Sequence, residues 1–354
     1  MNRRKKIRSV VNQLRAVFSS SRFFQHPNWQ SWYKRPLVDL GTLGGEPLEG
    51  IFSPLYDEES VNRYIHEQFR EQAQTYAEKY TAIEYFNLLL SDAFTKIGWE
   101  AHHRAGLAIL DIGSGAGNSI FPLLRLCPDS LVITSDLSLE LLILLKKTLF
   151  AQRLSHRYAL LQLNAEELDF AHGTFDLVVG AAVLHHLLSP EKTINGCARI
   201  LKQGGYAVFF EPFENGNAIL NLIYRTILHH DQPDALSLEV QGLLRSMTQD
   251  YEVQKGRDKS LPIFQQMEDK WLFTKRYFEE ITAKAGFSEC VIYPLHATDY
   301  QFAKQIEVLL RLGIGKEREA LPQWAWEIIQ QYDESFSADL KSDLLIEGGV
   351  ILRK

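Results

Sequence analysis

The sequence predicts an α/β protein built on a mostly parallel sheet, and three features indicate this. Short apolar runs of strand length alternate with longer stretches at helical spacing. The first strong run, residues 107–110, leads into a turn with three glycines between positions 113 and 117. Asp111 follows this first run, and a second acid, Asp136, follows the next one. Because open α/β sheets bind their ligands at the carboxyl ends of the strands, these residues mark the expected site.

Five apolar runs account for the centre of the predicted sheet. They are Leu107–Leu110, Leu131–Ser135, Tyr158–Leu163, Phe175–Gly180 and Tyr206–Phe210. Runs that are apolar throughout, rather than alternating, are typical of parallel strands covered by helices on both faces. Helical patterns separate the runs, which favours parallel strands joined by helices.

The residues around the glycine turn distinguish between two classes of nucleotide ligand. A dinucleotide-binding turn requires a third glycine three positions after the second, but this chain has Asn118 there. Asp111 would repel a pyrophosphate and attract an ammonium or sulfonium group. Asp136 can accept hydrogen bonds from ribose hydroxyls, and Asn164 follows the third run, where an amide can reach an adenine edge. The sequence therefore favours S-adenosylmethionine over NAD or FAD.

Five motifs in chain order resemble those of class I S-adenosylmethionine-dependent methyltransferases, in the small-molecule branch that includes the quinone-ring methyltransferases. The motifs are LDIGSGAGN, SDLS, LNAEELDF, FDLVVGAAVLHHL and ILKQGGYAVFFEPF. The resemblance covers about residues 107–212, then resumes with a helix and strand near 274–295 and a last strand near 344–353. It implies a Rossmann-like, seven-stranded, mostly parallel sheet with an antiparallel last strand, and S-adenosylmethionine as the cofactor.

The resemblance also implies which residues bind the cofactor. These are Asp111, Gly113, Ser114, Gly115, Asn118, Asp136, Leu137, Asn164, Ala165 and Gly180. Within this set, Asp111 and the turn at Gly113 would hold the methionine end, and Asp136 the ribose hydroxyls. Asn164 would bind the adenine, whose face Leu137 would contact. The family often has aspartate where this chain has Asn164, but an amide oxygen can accept the same hydrogen bond.

Three residues are candidates to contact the acceptor: His185, His186 and Glu211. The histidines come directly after the fourth run, and Glu211 ends the fifth. Each has a structural alternative, in which a histidine packs beneath the adenine or caps a helix, and Glu211 bonds to a neighbouring loop. We expect no metal site, because His229 and His230 are adjacent and would face different ways on a helix.

Two segments with apolar residues at helical spacing interrupt the predicted core. The predicted organisation is a basic N-terminal arm (1–38), an extended segment and helical cap (39–105), the Rossmann-like core (106–212), a helical insertion (213–272), a core helix and strand (273–297), a second helical insertion (298–343) and the last strand (344–354). We interpret the insertions as a lid that encloses an apolar or aromatic acceptor and excludes water. Extra core or a dimer face are the alternatives.

Charge and cysteine content limit the remaining functions. Nine basic residues precede the first acid, Asp39, so the net charge of −6 divides into +9 for the arm and −15 for the rest. Such an arm suits a transit peptide, a contact with anionic lipid or nucleic acid, or a solvated tail. Three well-separated cysteines fit neither a disulfide framework nor a metal site, and no apolar run is long enough to span a membrane. We therefore expect a cytoplasmic protein.

The sequence thus predicts an enzyme that transfers a methyl group from S-adenosylmethionine to an oxygen, in preference to a carbon or nitrogen, of a small, fairly apolar metabolite. The fourth run ends in residues 180–183 without the acid or amide and paired prolines that hold a planar amine, which disfavours N-methylation of nucleic-acid bases. The alternatives are an RNA-modifying or RNA-binding protein that uses the basic arm, and a protein that binds S-adenosylmethionine without catalysis.

Overall fold

The structure is a computed structural model that describes residues 29–44, 48–54, 69, 71–151, 157–231 and 235–354. Most of the predicted basic arm, residues 1–28, lies outside the described residues. Residues 55–68, which include the start of the predicted N-terminal helix, also lie outside the described residues. All five predicted strands, and all residues predicted to bind the cofactor or the acceptor, lie within the described ranges.

The described residues form one mixed sheet of nine strands. The strands are β1 (Val38–Asp39), β2 (Ile51–Ser53), β3 (Ala108–Ile112), β4 (Leu131–Asp136), β5 (Tyr158–Gln162), β6 (Phe175–Ala181), β7 (Leu201–Pro212), β8 (Glu289–Pro294) and β9 (Glu347–Arg353). Their order across the sheet is β1-β2-β5-β4-β3-β6-β7-β9-β8. Strands β2 to β7 pair in parallel, whereas β9 runs antiparallel to both β7 and β8. The predicted α/β class and antiparallel last strand are confirmed.

The sheet has two more strands than the predicted seven. Both come from a segment whose prolines and glycines predicted only an extended chain on the body. Ile51 of β2 is fully buried and pairs with Leu160, so β2 covers the otherwise open edge of β5. A strand of two or three residues is too short to show an alternating pattern, which is why the sequence did not reveal it.

Helices cover both faces of this sheet, and four further helices form a separate bundle. They are α1 (Gly41–Gly44), α2 (Ala73–Tyr80), α3 (Ile83–Lys96), α4 (Ile120–Leu126), α5 (Leu139–Ala151), α6 (Pro190–Ile200), α7 (Glu214–Leu228), α8 (Leu238–Gln254), α9 (Ile263–Gln266), α10 (Lys275–Ala285), α11 (Gln301–Ile314), α12 (Gln323–Ser335) and α13 (Ala338–Asp343). Consecutive residues of β3 enter different apolar cores, Ile109 on one face and Leu110 on the other. Burial on both faces explains the continuous apolar runs.

The helices of the two predicted insertions pack against one another. Leu220 of α7, Leu244 of α8, Ile306 of α11 and Ile329 of α12 share a third apolar core. These four helices thus form a bundle with its own interior, while the exact domain boundaries stay predictions. None of the described helices combines the length and the apolar character needed to cross a bilayer.

Candidate active site

The turn after β3 depends on its glycines. Gly113 has φ +64°, and a Cβ there would lie 2.4 Å from the Val183 side chain. Gly117 has φ +115°, and a Cβ there would lie 2.4 Å from the Phe121 ring. Both backbone angles lie in the left-handed half of conformational space, where glycine carries no Cβ penalty. The turn therefore packs closely against Val183 and Phe121, and its backbone borders the cavity at the ends of the strands.

Asp136, at the end of β4, joins the second strand to this turn. Its Oδ2 accepts a hydrogen bond from the Gly115 amide at 2.9 Å, and its Oδ1 accepts one from the Ser138 amide at 2.8 Å. Burial raises the pKa of the Asp136 carboxyl, and the amide hydrogen bonds act in the opposite direction. The carboxylate is thus held in one orientation beside the glycine turn.

Asp111 lies beneath the turn rather than in the wall of the cavity. Its side chain is fully buried, and its Oδ2 accepts a hydrogen bond from the Thr134 hydroxyl at 2.8 Å. Burial raises the pKa of Asp111 to about 7, although the hydrogen bond from the Thr134 hydroxyl lowers it. Asp111 is not among the residues that line the cavity described below, and its predicted contact with the methionine end stays a prediction.

A cavity of about 410 Å³ lies at the carboxyl ends of the parallel strands. Eight of the ten predicted cofactor-binding residues line it: Gly113, Ser114, Gly115, Asn118, Asp136, Leu137, Asn164 and Ala165. Gly180 does not, and a Cβ at this position would lie 2.7 Å from the Phe209 and Val183 side chains. Gly180 therefore permits close packing against Phe209 and Val183, and its predicted contact with the cofactor stays a prediction.

Aromatic side chains from the N-terminal cap cover this cavity. The rings of Phe69 and Tyr76 lie 5.0 Å apart, those of Tyr76 and Tyr80 lie 4.9 Å apart, and all three residues line the cavity. Asn118 attaches the cap, since its Oδ1 accepts from the Ala82 amide at 2.8 Å and its Nδ2 donates to the Tyr80 carbonyl at 3.1 Å. The side-chain amide of Asn118 thus attaches the cap to the end of the glycine turn.

Glu211 organises the loop after β6. Its buried carboxylate accepts hydrogen bonds from the backbone amides of Val183, Leu184 and His185, at 3.1, 2.8 and 3.2 Å. Glu211 is 1% exposed and does not line the cavity. These bonds agree with the structural alternative for Glu211, a bond to a neighbouring loop, and its contact with the acceptor stays a prediction.

The two histidines of this loop have different surroundings. His185 is buried, with Nδ1 2.7 Å from Glu211 Oε2 and Nε2 3.3 Å from Asp269 Oδ1. Burial lowers the pKa of His185, but the Glu211 and Asp269 carboxylates outweigh it and raise the pKa to about 10. His186 lines the cavity, with Nδ1 3.1 Å from the same Asp269 oxygen. Of the three candidate acceptor residues, His186 is therefore the one in the cavity wall.

A segment that no sequence motif marked closes the far side of the cavity. Residues 265–268 and Lys270, from the first insertion, line it, whereas its described lining contains no residue of the second insertion. Lys270 is 7% exposed, and its ammonium donates to the carbonyls of Met267 and Glu268 at 2.7 and 3.2 Å. Burial lowers the pKa of Lys270 to about 8. In the sequence, only the charged tripeptide Glu268–Lys270 marks this segment, and no neighbouring motif links that tripeptide to the site.

Part of the chain is similar in sequence to known proteins. Residues 110–209 match the family described as a methyltransferase domain. The ubiquinone/menaquinone biosynthesis C-methyltransferase UbiE of Methylococcus capsulatus is 30% identical over 126 residues, which cover 35% of this chain and 50% of that protein. The mitochondrial 2-methoxy-6-polyprenyl-1,4-benzoquinol methylase of Caenorhabditis elegans is 27% identical over 176 residues, or 48% of this chain and 59% of that protein. The chain thus spans about half the length of the curated relatives it matches.

Among the solved structures that resemble this chain, one from a nematode covers most of it. Phosphoethanolamine N-methyltransferase 2 of Haemonchus contortus is 17% identical, covers 91% of this chain and 68% of its own, and superposes with a TM-score of 0.49. The family match and the curated relatives, and not this superposition, identify the domain. Residues 110–209 thus form a methyltransferase domain, and part of the chain is similar to two curated methyltransferases that act on quinones or quinols.

Proposed function

We propose that the protein transfers a methyl group from S-adenosylmethionine to a small, fairly apolar acceptor, at an oxygen in preference to a carbon or nitrogen. The observation that carries this proposal is the cavity at the strand ends, where the glycine turn, Asp136 and Asn164 meet beneath an aromatic cap. The methyltransferase-domain match covers the strands that carry these residues.

The residues present fit the proposed cofactor. A carboxylate has about four lone-pair positions, and the amides of Gly115 and Ser138 occupy one on each oxygen of Asp136. The remaining positions suit the two ribose hydroxyls. Asn164 and Ala165 would bind the adenine, and the glycine turn the methionine end. When bound, the cofactor supplies a methyl group on a positively charged sulfur, which the nearby acids favour.

The cavity wall supports an apolar, ring-bearing acceptor. Beside the three aromatic rings of the cap, Leu187 and Met267 contribute apolar surface. One relative is named for ubiquinone and menaquinone biosynthesis and another as a benzoquinol methylase, which is consistent with such an acceptor. Methyl transfer is an in-line displacement, so the main tasks of the protein are to orient the acceptor and to exclude water.

His186 is the residue that we assign to the acceptor. Its ring borders the cavity, 5.6 Å from the Phe69 ring in an edge-on arrangement. A phenolic oxygen needs little help from a base, whereas a carbon acid would need more. Methylation at carbon is the second candidate, because the name of the Methylococcus relative specifies a C-methyltransferase.

Calorimetric titration with S-adenosylmethionine tests the cofactor assignment. The wild type should bind, Asp136→Ala should lose most of its affinity, and Glu327→Ala, which removes an exposed carboxylate on α12, should bind normally. Affinity unchanged in Asp136→Ala, or binding of a nicotinamide or flavin nucleotide in this cavity, would contradict the proposal.

The acceptor and the methylated atom need a product assay. The protein is incubated with methyl-deuterated S-adenosylmethionine and a panel of phenols, quinols and aliphatic alcohols, and products are detected by mass. The position of the deuterated methyl group, determined by NMR, distinguishes oxygen from carbon. Binding of the cofactor with no product from the panel or from a cell extract would favour the alternative without catalysis.

A further inference from the structure

We propose that His185, His186 and Asp269 bind a late first-row divalent metal ion, such as Zn²⁺, at the edge of the cavity. Among the described residues, these three form the group of histidine and carboxylate ligands close enough to hold a metal ion. The sequence analysis predicted no metal site and did not consider this group. Asp269 is distant along the chain, and only the fold places it beside the histidine pair.

The spacing of the candidate ligand atoms suits a small coordination sphere. Asp269 Oδ1 lies 3.3 Å from His185 Nε2 and 3.1 Å from His186 Nδ1. Two ligand atoms on a tetrahedral zinc ion, each at about 2.0–2.1 Å from the metal, lie about 3.3 Å from each other. An ion can therefore replace these contacts, and the contact of His186 Nδ1 with the Glu268 carbonyl at 3.2 Å, with little movement of the side chains. The protons that the ring nitrogens lose on metal binding pass to solvent.

The partner of His185 on its other ring nitrogen strengthens the inference. Metal-binding histidines almost always donate that second N–H to a carboxylate or carbonyl, which fixes the ring and makes the ligand more basic. Here Nδ1 of His185 lies 2.7 Å from Glu211 Oε2, so Nε2 is directed to Asp269. Glu211 is fixed in turn by three backbone amides.

The donor set also indicates the kind of metal. Two imidazoles with one carboxylate suit Zn²⁺, Fe²⁺, Co²⁺ or Ni²⁺, whereas Mg²⁺ and Ca²⁺ prefer oxygen ligands. Three protein ligands leave at least one coordination position for a small molecule. The Asp269 side chain is 52% exposed and His186 borders the cavity, so both an ion and an acceptor can reach the site.

The consequence for the acceptor rests on the proposed function. A divalent ion lowers the pKa of a hydroxyl that it binds, and the released proton passes to solvent. The acceptor oxygen then forms a bond to the methyl carbon as the carbon–sulfur bond breaks, and the electron pair of that bond stays on sulfur. The acceptors selected would be small molecules with a hydroxyl able to bind a metal.

Metal binding by the full-length, chelator-treated protein tests the proposal without any substrate. Titration with ZnCl₂ should give one ion per chain, and Co²⁺ should bind with the visible absorption of a nitrogen- and oxygen-coordinated ion, while MgCl₂ should not compete. Asp269→Asn and His186→Gln should each weaken Zn²⁺ binding at least about tenfold. Circular dichroism should show that both variants are folded.

A second adjacent pair of histidines provides the matched control. His102 and His103 are exposed, and His102 Nδ1 lies 3.5 Å from a Glu100 carboxylate oxygen. The double variant His102→Gln, His103→Gln should bind Zn²⁺ as the wild type does. The proposal is overturned if the wild type binds no Zn²⁺, or if binding survives Asp269→Asn and His186→Gln.

Cofactor binding measured on the same samples separates this proposal from the function. If the wild type binds S-adenosylmethionine but not Zn²⁺, the metal site is wrong and the methyltransferase proposal stands. If the wild type binds Zn²⁺ and Asp269→Asn loses that binding, but the wild type does not bind S-adenosylmethionine, the metal site stands and the methyltransferase proposal is wrong.

Discussion

The Glu211 carboxylate lies 2.7 Å from Nδ1 of His185 and also accepts hydrogen bonds from three backbone amides of the loop that carries this histidine. A single acid at the end of β7 therefore fixes both the backbone and the ring of the loop after β6. Since that loop also carries His186 into the cavity wall, Glu211 positions a site residue without lining the cavity itself.

Replacing Glu211 with glutamine should destabilise the protein. Glu211→Gln keeps the side-chain shape but removes the fully buried one of the two carboxylates beside the His185 ring. Breaking a buried pair by removing one member costs about 3–5 kcal/mol. The free energy of unfolding, measured in urea, should fall by roughly that amount. Glu327→Gln, an exposed carboxylate on α12, should change it by less than about 0.5 kcal/mol. Equal stability of the two variants would contradict this role of Glu211.

Asp111 should make the stability depend on pH. Burial raises its pKa to about 7 from the ordinary value of 3.8, so the folded protein binds more protons than the unfolded chain between these values. Stability contributed by the protonated form is fully present below about pH 4 and is lost as the pH rises through 7. Asp111→Asn should lack this part of the pH dependence, which is on the order of a few kcal/mol.

Thermal unfolding of wild type and Asp111→Asn at pH 5, 6, 7 and 8 checks the prediction. The difference between the two proteins, rather than either curve alone, isolates Asp111 from other titrating groups such as Asp136. Parallel curves over this range would show that Asp111 titrates at its ordinary value.

The core strands were predictable because each is an apolar run of the right length. The starts of β4, β5 and β6 agree with the predicted runs, and β3 starts one residue later. Strand β7 begins at Leu201, five positions before the predicted run, because polar and glycine residues at 202–205 hide its first part. Strands that are exposed or very short lack the apolar signal that a buried strand must have.

The site was predictable where its residues belong to local motifs. The glycine turn and Asp136 line the cavity, because the turn itself forms part of the cavity wall. Asp111 and Gly180 lie within strands, where successive side chains point to opposite faces of the sheet. Their positions in the sequence do not tell whether their side chains reach the cavity. Asp269 and Lys270 reach the site through the fold of an insertion, so no spacing in the sequence predicts them.

The close packing of the glycine turn gives a second stability prediction. Gly113 and Gly173 have similar backbone angles, φ +64° and +62°, but a Cβ at Gly113 would meet Val183 at 2.4 Å, whereas one at Gly173 has open space around it. Gly113→Ala should therefore be less stable than Gly173→Ala by about 1–3 kcal/mol, the typical cost of overpacking. It should also bind S-adenosylmethionine less tightly. Urea unfolding and calorimetry provide the two measurements, and equal losses in both variants would mean that the clash with Val183 is absent.

Asn118 should control how firmly the aromatic cap is attached. Its side chain bonds to the Ala82 amide and the Tyr80 carbonyl, at the junction between α2 and α3. Asn118→Ala removes both bonds, so the amides of residues 73–82 should exchange with solvent faster, since local opening there becomes easier. Asn217→Ala, which removes a similar pair of bonds from α7 to the carbonyls of Phe213 and Ile346, should leave that segment unchanged. If exchange in residues 73–82 were the same in wild type and Asn118→Ala, the cap would be held by its aromatic contacts instead.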